Sequence, residues 1–118
     1  MSSATVDYAE LTKTISSHLA VLRKDQQGLM TAFNDMARAA TSDGALDKKT
    51  KELIAMALGV AARCDGCIGF HAQALVKLGA TKAELEETLA MAVYMGGGPS
   101  LMYSANALAA FDQFASQA

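Results

Sequence analysis

The chain has 118 residues, a formal net charge of −2 and ten Lys and Arg side chains scattered along it, so we expect neither a nucleic-acid interface nor a polybasic membrane patch. No linker or charge block divides the sequence, which predicts one domain over residues 1–118. The N-terminal residues lack a signal-peptide pattern and no apolar run reaches about 18 residues, so we expect a cytoplasmic protein. Apolar residues make up 52% of the chain, and we expect part of this excess to lie in a subunit interface.

The spacing of apolar residues predicts an all-α, single-domain bundle of about six helices. Ala and Leu are frequent and β-branched alternation is absent, so no strand is expected. The first helix is predicted over about 7–22. The second is predicted from about Asp25 to the break at Ser42-Asp43-Gly44.

The third helix is predicted to be the centre of the fold. Asp47 is expected to cap its start, and the helix is expected to end near Arg63. Residues 53–62 contain no polar side chain, which predicts that this helix is enclosed on every side.

Capping signals delimit the remaining three helices. The fourth is expected to carry Cys67 and to end at Gly79 as its C′ residue. Thr81-Lys82-Ala83-Glu84 has the form of a capping box and opens the fifth helix, which is expected to stop at Gly96-Gly97-Gly98. Pro99 suits the first turn of the sixth helix.

The most informative stretch is Cys64-Asp-Gly-Cys67-Ile-Gly-Phe-His71, which contains the only two cysteines of the chain. On a helix the three side chains would fall within about 60° of arc. His71 stands one turn after Cys67 and can take its proton, while a helix N-terminus also lowers a thiol pKa. The pattern therefore predicts Cys67 as the base-assisted nucleophile and Cys64 as the resolving thiol that closes a disulfide.

Two other readings of this stretch remain open. Both cysteines could be small buried residues of an apolar helix. Cys64, Cys67 and His71 could also bind zinc, with Glu52 as a fourth ligand, although no second Cys/His pair lies at the usual distance along the chain. A thioredoxin-like fold uses the same cysteine spacing but requires strands, and it is set aside.

An all-helical chain with Glu52 twelve positions before Cys64, followed by Cys-x-x-Cys-x-x-x-His, resembles the AhpD-like branch of the carboxymuconolactone decarboxylase family over about residues 29–111. The resemblance implies that a peroxide oxidises Cys67, that Cys64 resolves the disulfide, and that His71 and Glu52 relay protons. It also implies assembly into homotrimers or homohexamers. No bound cofactor or metal is expected.

Two features depart from the family pattern. Gly66 stands between the cysteines where the best-studied peroxidase members carry an additional histidine, which puts the peroxidase rate in question. Carboxymuconolactone decarboxylases themselves generally lack the cysteine pair. Glu52 needs a separate explanation, because twelve residues of continuous helix would put it about 18 Å from Cys64, and only folding back could bring it close.

The sequence therefore predicts a thiol-dependent oxidoreductase of the alkylhydroperoxidase type. Hydroperoxides are the expected substrates, and an external dithiol, either a lipoyl group or a small redox protein, is the expected reductant. The alternative is a non-enzymatic redox-sensing or assembly module. A carboxymuconolactone decarboxylase-type lyase is the third hypothesis.

Overall fold

A computed structural model describes residues 6–118, and they form six α-helices joined by short connections. No strand is present within this range, and the predicted all-helical class is confirmed. The helices are α1 (Tyr8–Asp25), α2 (Gln27–Thr41), α3 (Lys48–Ala61), α4 (Asp65–Lys77), α5 (Lys82–Gly96) and α6 (Gly98–Gln117).

The starts of α3 and α5 lie where the predicted capping residues place them. Asp7 caps α1, and the Asp47 carboxylate accepts the Thr50 N–H at 2.8 Å at the start of α3. Thr81 and Glu84 form the predicted capping box, with each side chain accepting the other residue's backbone N–H. Such a cap typically stabilises a helix by about 1 kcal/mol.

The predicted Gly-rich break between the last two helices is a single residue long. α5 runs through Gly96 and α6 begins at Gly98, so only Gly97 separates them. Its backbone has φ 68° and ψ −148°, a region that is essentially restricted to glycine. Gly97 therefore allows the chain to pass from α5 to α6 through a single non-helical residue.

α3, α4 and α6 form the centre of the fold. α4 packs against α1, α3 and α6, and α3 and α6 each pack against four other helices. Four residues of α4 that recur on its inner faces are buried: Ile68, Gly69, Ala72 and Leu75. Ile68, Ala72 and Leu75 belong to the same hydrophobic core as large side chains of other helices, which are Tyr8, Met56, Val60, Leu85, Leu89, Phe111 and Phe114. The helix that carries Cys67 and His71 is thus anchored in the core of the fold.

The prediction that α3 is enclosed on every side is wrong. α3 packs against α4, α5 and α6, but Ile54 and Leu58 are exposed, Leu58 by 65%. With Met91 and Met95 of α5 they form an open apolar surface, here called the α3–α5 face. The lack of polar residues showed that this helix is apolar on all sides. It did not show whether other helices of the same chain cover each side.

The apolar stripe of α2 is also uncovered. Leu29, Phe33 and Met36 are each more than half exposed, because α2 packs only against α1 and, more lightly, α3. Across the part of the chain that the structure describes, no helix combines the length and the apolar composition needed to span a membrane.

Candidate functional site

The turn between α3 and α4 presents the cysteines at a helix N-terminus. Arg63 adopts a left-handed backbone conformation with φ 58°, which reverses the chain. The Cys64 N–H then donates to the carbonyl of Gly59 at 3.0 Å. Cys64 becomes the N-cap residue of α4, and its sulfur accepts the N–H of Cys67 at 3.1 Å.

Cys64 and Cys67 are joined in a disulfide, with their Cα atoms 5.2 Å apart. This separation falls within the ordinary range for a bridge. Both sulfurs lie at the positive end of the α4 dipole, a position that favours a thiolate once the bond is reduced. Both residues are half-buried, so the bridge is neither sealed in the core nor fully exposed.

Close packing of α3 on α4 sets the position of Cys67. Gly59 is buried in the last turn of α3, and a Cβ added there would lie 3.2 Å from the Cβ of Cys67. That contact is tighter than ordinary side-chain packing. The two helices can therefore approach this closely only because residue 59 has no side chain.

Glu52 and His71 meet within one subunit. Glu52 lies on α3 with its side chain 9% exposed, and its Oε1 is 2.7 Å from Nδ1 of His71, whose side chain is 31% exposed. The fold back from α3 into α4 therefore brings Glu52 to His71, and this contact needs no second subunit. The carboxylate is not a solvated surface group.

The bond to Glu52 also determines which nitrogen of His71 is free. When Nδ1 carries the hydrogen that the carboxylate accepts, Nε2 is left to exchange a proton. His71 follows Cys67 by four residues on the same helix and so is its neighbour on one face. Among residues 6–118, no hydrogen bond links the ring to either sulfur of the oxidised pair.

Three residues that the sequence reasoning did not assign to the site also reach it. The Tyr8 hydroxyl donates to Oδ1 of Asp65 at 2.6 Å, and Nδ2 of Asn106 donates to the same oxygen at 3.3 Å. Asp65 stands inside the Cys-x-x-Cys motif, and the sequence pattern predicts no role for it. Tyr8 and Asn106 lie 57 and 41 positions from Asp65, and no local pattern connects them.

The four predicted site residues thus form two pairs within α3, α4 and the turn that joins them. Cys64 and Cys67 are bonded, and Glu52 is bonded to His71. Within the described range, no group of three or more His, Cys, Asp or Glu side chains is arranged to hold a metal ion. The available chemistry is that of a sulfur pair beside one imidazole–carboxylate pair.

Fold and site together define a small six-helix protein in which a Cys-x-x-Cys disulfide opens α4, and His71, one turn further along that helix, pairs with the buried Glu52. A sequence model of the carboxymuconolactone decarboxylase family matches residues 27–110. The chain belongs to that family, as the sequence motif predicted.

Solved structures and one curated relative agree with this assignment. A carboxymuconolactone decarboxylase family protein of Legionella pneumophila is 66% identical, with a TM-score of 0.91 over 92% of this chain and 96% of that one. A Thermotoga maritima family member with a suggested involvement in an antioxidative response is 30% identical, with a TM-score of 0.69 over 75% of this chain and 91% of that one. An uncharacterised protein of Cupriavidus necator is 42% identical over 92% of this chain and 96% of its own length.

Proposed function

We propose that the chain is a thiol-dependent oxidoreductase that reduces hydroperoxides through a dithiol–disulfide cycle of Cys64 and Cys67. The single observation that carries this proposal is the bond between the two sulfurs at the N-terminus of α4, one helical turn from the His71–Glu52 pair. The suggested antioxidative involvement of the Thermotoga maritima relative is in accord with it.

The oxidative half of the cycle needs one base and two thiols. Nε2 of His71 takes the proton of Cys67, and Glu52 holds the ring in the required tautomer. The thiolate attacks one peroxide oxygen, the O–O bond breaks, and the other oxygen leaves as an alcohol after protonation. Cys67 is then a sulfenic acid. The Cys64 thiol attacks the sulfur of this sulfenic acid, and water leaves. The resulting disulfide retains the two-electron oxidation that the peroxide delivered.

Gly66 leaves the Cys64–His71 stretch with one imidazole. A Cβ at Gly66 would lie 2.9 Å from Cδ1 of Ile15, the flexible end of that side chain, so a larger residue there would require Ile15 to shift. His71 then serves both thiols in the proposed cycle. We therefore expect turnover to depend more steeply on His71 than it would in a site with two imidazoles.

An external dithiol, carried by a lipoyl group or a small redox protein, completes the cycle. Its first thiolate attacks Cys67, and Cys64 leaves as a thiolate that already accepts the Cys67 N–H. Its second thiol then attacks the mixed disulfide and releases Cys67. This requirement for a reducing partner is the reason that we place the chain in the cytoplasm, where such reductants are maintained.

The test is a peroxide pulse applied to the reduced native protein and to variants that lack one of the two thiols. We expect hydroperoxide consumption and an intramolecular Cys64–Cys67 bridge in the native chain. Cys67→Ser should abolish consumption, whereas Cys64→Ser should leave a sulfenic acid that dimedone traps on Cys67. The reverse trapping pattern would exchange the two roles, and a reduced chain that neither consumes peroxide nor closes the bridge would contradict the proposal.

The open apolar surfaces favour a second candidate, a redox-sensing or assembly module that forms homotrimers or homohexamers. On this hypothesis copies of the chain cover the α3–α5 face and the stripe of α2. Sedimentation of reduced and oxidised protein separates the candidates. A sensor changes its assembled mass between the two states without turnover, whereas the peroxidase turns over with its assembled mass unchanged.

A further inference from the structure

Tyr8, the first residue of α1, is fully buried and reaches the N-terminus of α4. Its hydroxyl donates to Oδ1 of Asp65 at 2.6 Å, and its backbone N–H donates to Oε1 of Gln113 at 2.8 Å. The ring lies against Gly69, where an added Cβ would come within 3.3 Å of Tyr8 Cδ1. Tyr8 is thus fixed at both of its ends and along its ring.

Asp65 is the residue on which α1 and α6 converge. Its Oδ1 accepts from Tyr8 and, at 3.3 Å, from Nδ2 of Asn106 on α6. Asp65 follows Cys64 directly and precedes Cys67 by two residues. The one carboxylate inside the Cys-x-x-Cys motif is therefore held by donors from two other helices.

We infer that Tyr8 and Asn106 are positioning residues that act on the sulfur pair through Asp65. They hold the Asp65 carboxylate toward α1 and α6, and so reduce the extent to which its negative charge disfavours the thiolates of Cys64 and Cys67. The inference rests on the proposed function only in requiring that the two cysteines pass between dithiol and disulfide. Tyr8 also precedes residues 27–110, the range that the family sequence model matches.

The physical reason is a competition at the first turn of α4. The positive end of the helix favours a thiolate, and a neighbouring carboxylate disfavours it. The Cα atoms of Cys64 and Asp65 are about 3.8 Å apart, well inside the screening length of about 8 Å at physiological ionic strength. Two hydrogen bonds to one oxygen spread the charge of the carboxylate and fix its direction.

Tyr8 can fill this role throughout the neutral pH range. Burial, and then the hydrogen bond to Asp65, raises the pKa of its phenol above the ordinary value. The hydroxyl consequently stays protonated and continues to donate. Tyr8 acts through Asp65 and does not itself contact the sulfurs by any hydrogen bond within the described range.

Other titratable groups lie on α4 itself and on the elements packed around it. They are His71 on α4, Glu52 on α3, Arg63 in the preceding turn and, beside Tyr8, Tyr103 on α6. Within residues 6–118, only Tyr8 and Asn106 donate side-chain hydrogen bonds to Asp65. Changing them therefore alters the hold on Asp65 while leaving the His71–Glu52 pair intact.

The experiment measures the alkylation rate of the reduced full-length chain by iodoacetamide against pH, together with its thiol–disulfide equilibrium with glutathione. Tyr8→Phe should raise the apparent thiol pKa and slow alkylation at pH 7 by about twofold to fivefold. Asn106→Ala should act in the same direction with a smaller effect, because its hydrogen bond is longer. Asp65→Asn, which removes the charge, should speed alkylation.

The decisive comparison is the double variant. With Asp65→Asn already present, Tyr8→Phe should change the alkylation rate no further. Tyr103→Phe removes a half-buried hydroxyl that makes no side-chain hydrogen bond within residues 6–118, and it should leave the rate unchanged.

Three results would overturn the inference. The first is that Tyr8→Phe slows alkylation equally in the native and the Asp65→Asn backgrounds, and the second is that Tyr103→Phe slows alkylation as much as Tyr8→Phe does. If Tyr8→Phe fails to fold, the third is an unchanged alkylation rate in Asn106→Ala. If the alkylation rates change as expected but the chain consumes no hydroperoxide, the inference is supported and the proposed peroxidase function is contradicted. The two ideas therefore fail separately.

Discussion

The carboxylate of Glu52 lies 2.7 Å from Nδ1 of His71 although 19 positions separate the two residues in the chain. The contact forms inside one subunit, where α3 folds back into α4. A buried carboxylate bonded to one ring nitrogen fixes both the orientation of an imidazole and the nitrogen that stays free. In the proposed cycle, this relationship makes His71 the oriented proton acceptor.

Glu52→Gln should therefore reduce peroxide turnover without unfolding the chain. The amide can still bond to Nδ1 through either its oxygen or its nitrogen, so the tautomer of His71 is no longer fixed. We expect kcat/KM for a hydroperoxide to fall by about tenfold to a hundredfold, with little change in helical content by circular dichroism.

The matched control is Glu86→Gln on the exposed side of α5, which should leave kcat/KM unchanged. In a His71→Gln background, Glu52→Gln should have no further effect on turnover. Full additivity of the two substitutions would mean that Glu52 acts apart from His71.

Gly59→Ala should disturb the sulfur pair from the opposite helix. The new Cβ would lie 3.2 Å from the Cβ of Cys67, so α3 and α4 must separate slightly. Overpacking of this kind destabilises a fold by about 1–3 kcal/mol. Urea unfolding would measure the loss, and the rate of bridge closure after a peroxide pulse should also decrease.

Gly28→Ala on α2 is the control for that substitution. A Cβ there would meet nothing within 4 Å, and replacing a helical glycine by alanine stabilises a protein by about 0.4–1 kcal/mol. The two alanine variants should therefore move the urea midpoint in opposite directions. A Gly59→Ala chain as stable as the native protein would show that the helices adjust without strain.

The Lys49–Glu84 pair should give stability a measurable acid dependence. Nζ of Lys49 lies 2.8 Å from Oε2 of Glu84, and this bond, followed by the Thr81 backbone N–H, lowers the pKa of Glu84 below its ordinary value of 4.5. A lowered pKa in the folded state contributes stability above 4.5 that is lost as the pH falls through the folded value.

Glu84→Gln should accordingly lower Tm at pH 7, and the difference from the native chain should shrink steadily below about pH 4.5. Because both side chains face solvent, added salt should reduce the difference as well. Glu87→Gln, on the same helix, serves as the exposed control. A difference in Tm that is constant from pH 7 to pH 3 would contradict this account.

Leu58→Glu should test whether copies of the chain cover the α3–α5 face. Leu58 is 65% exposed beside Met91 and Met95, so a charge there would be tolerated by the isolated subunit but would not be tolerated in a dry interface. We expect the mass measured by analytical ultracentrifugation to fall while helical content stays the same.

Leu46→Glu places the same charge on another exposed leucine, in the α2–α3 connection, and should leave the assembled mass unchanged. An unchanged mass in Leu58→Glu would exclude this face from the interface.

Much of the fold was predictable because its signals are local. Asp47 and Thr81 cap the helices that they were expected to cap, and residues within four positions decide those caps. The membership in the carboxymuconolactone decarboxylase family was also predictable, from the spacing of Glu52, Cys64, Cys67 and His71. The roles of these four residues stay predictions until the thiol chemistry is measured.

The error about α3 has a physical cause. The apolar run of residues 53–62 indicated an enclosed helix, yet Leu58 is exposed. The same holds for α2, whose apolar stripe includes the exposed Phe33. Hydrophobic periodicity reports that a face avoids water. It carries no information on which surface covers that face.

By itself, the sequence determined the helices, their caps and the spacing that puts two thiols and an imidazole on one helix, since all of these depend on neighbours a few residues apart. Only the tertiary structure decided that Glu52 faces His71 and that Tyr8 and Asn106 hold Asp65 between the cysteines. Those contacts join residues 19 to 57 positions apart. They depend on how the helices cross, which is set by the packing of whole faces and not by any local pattern.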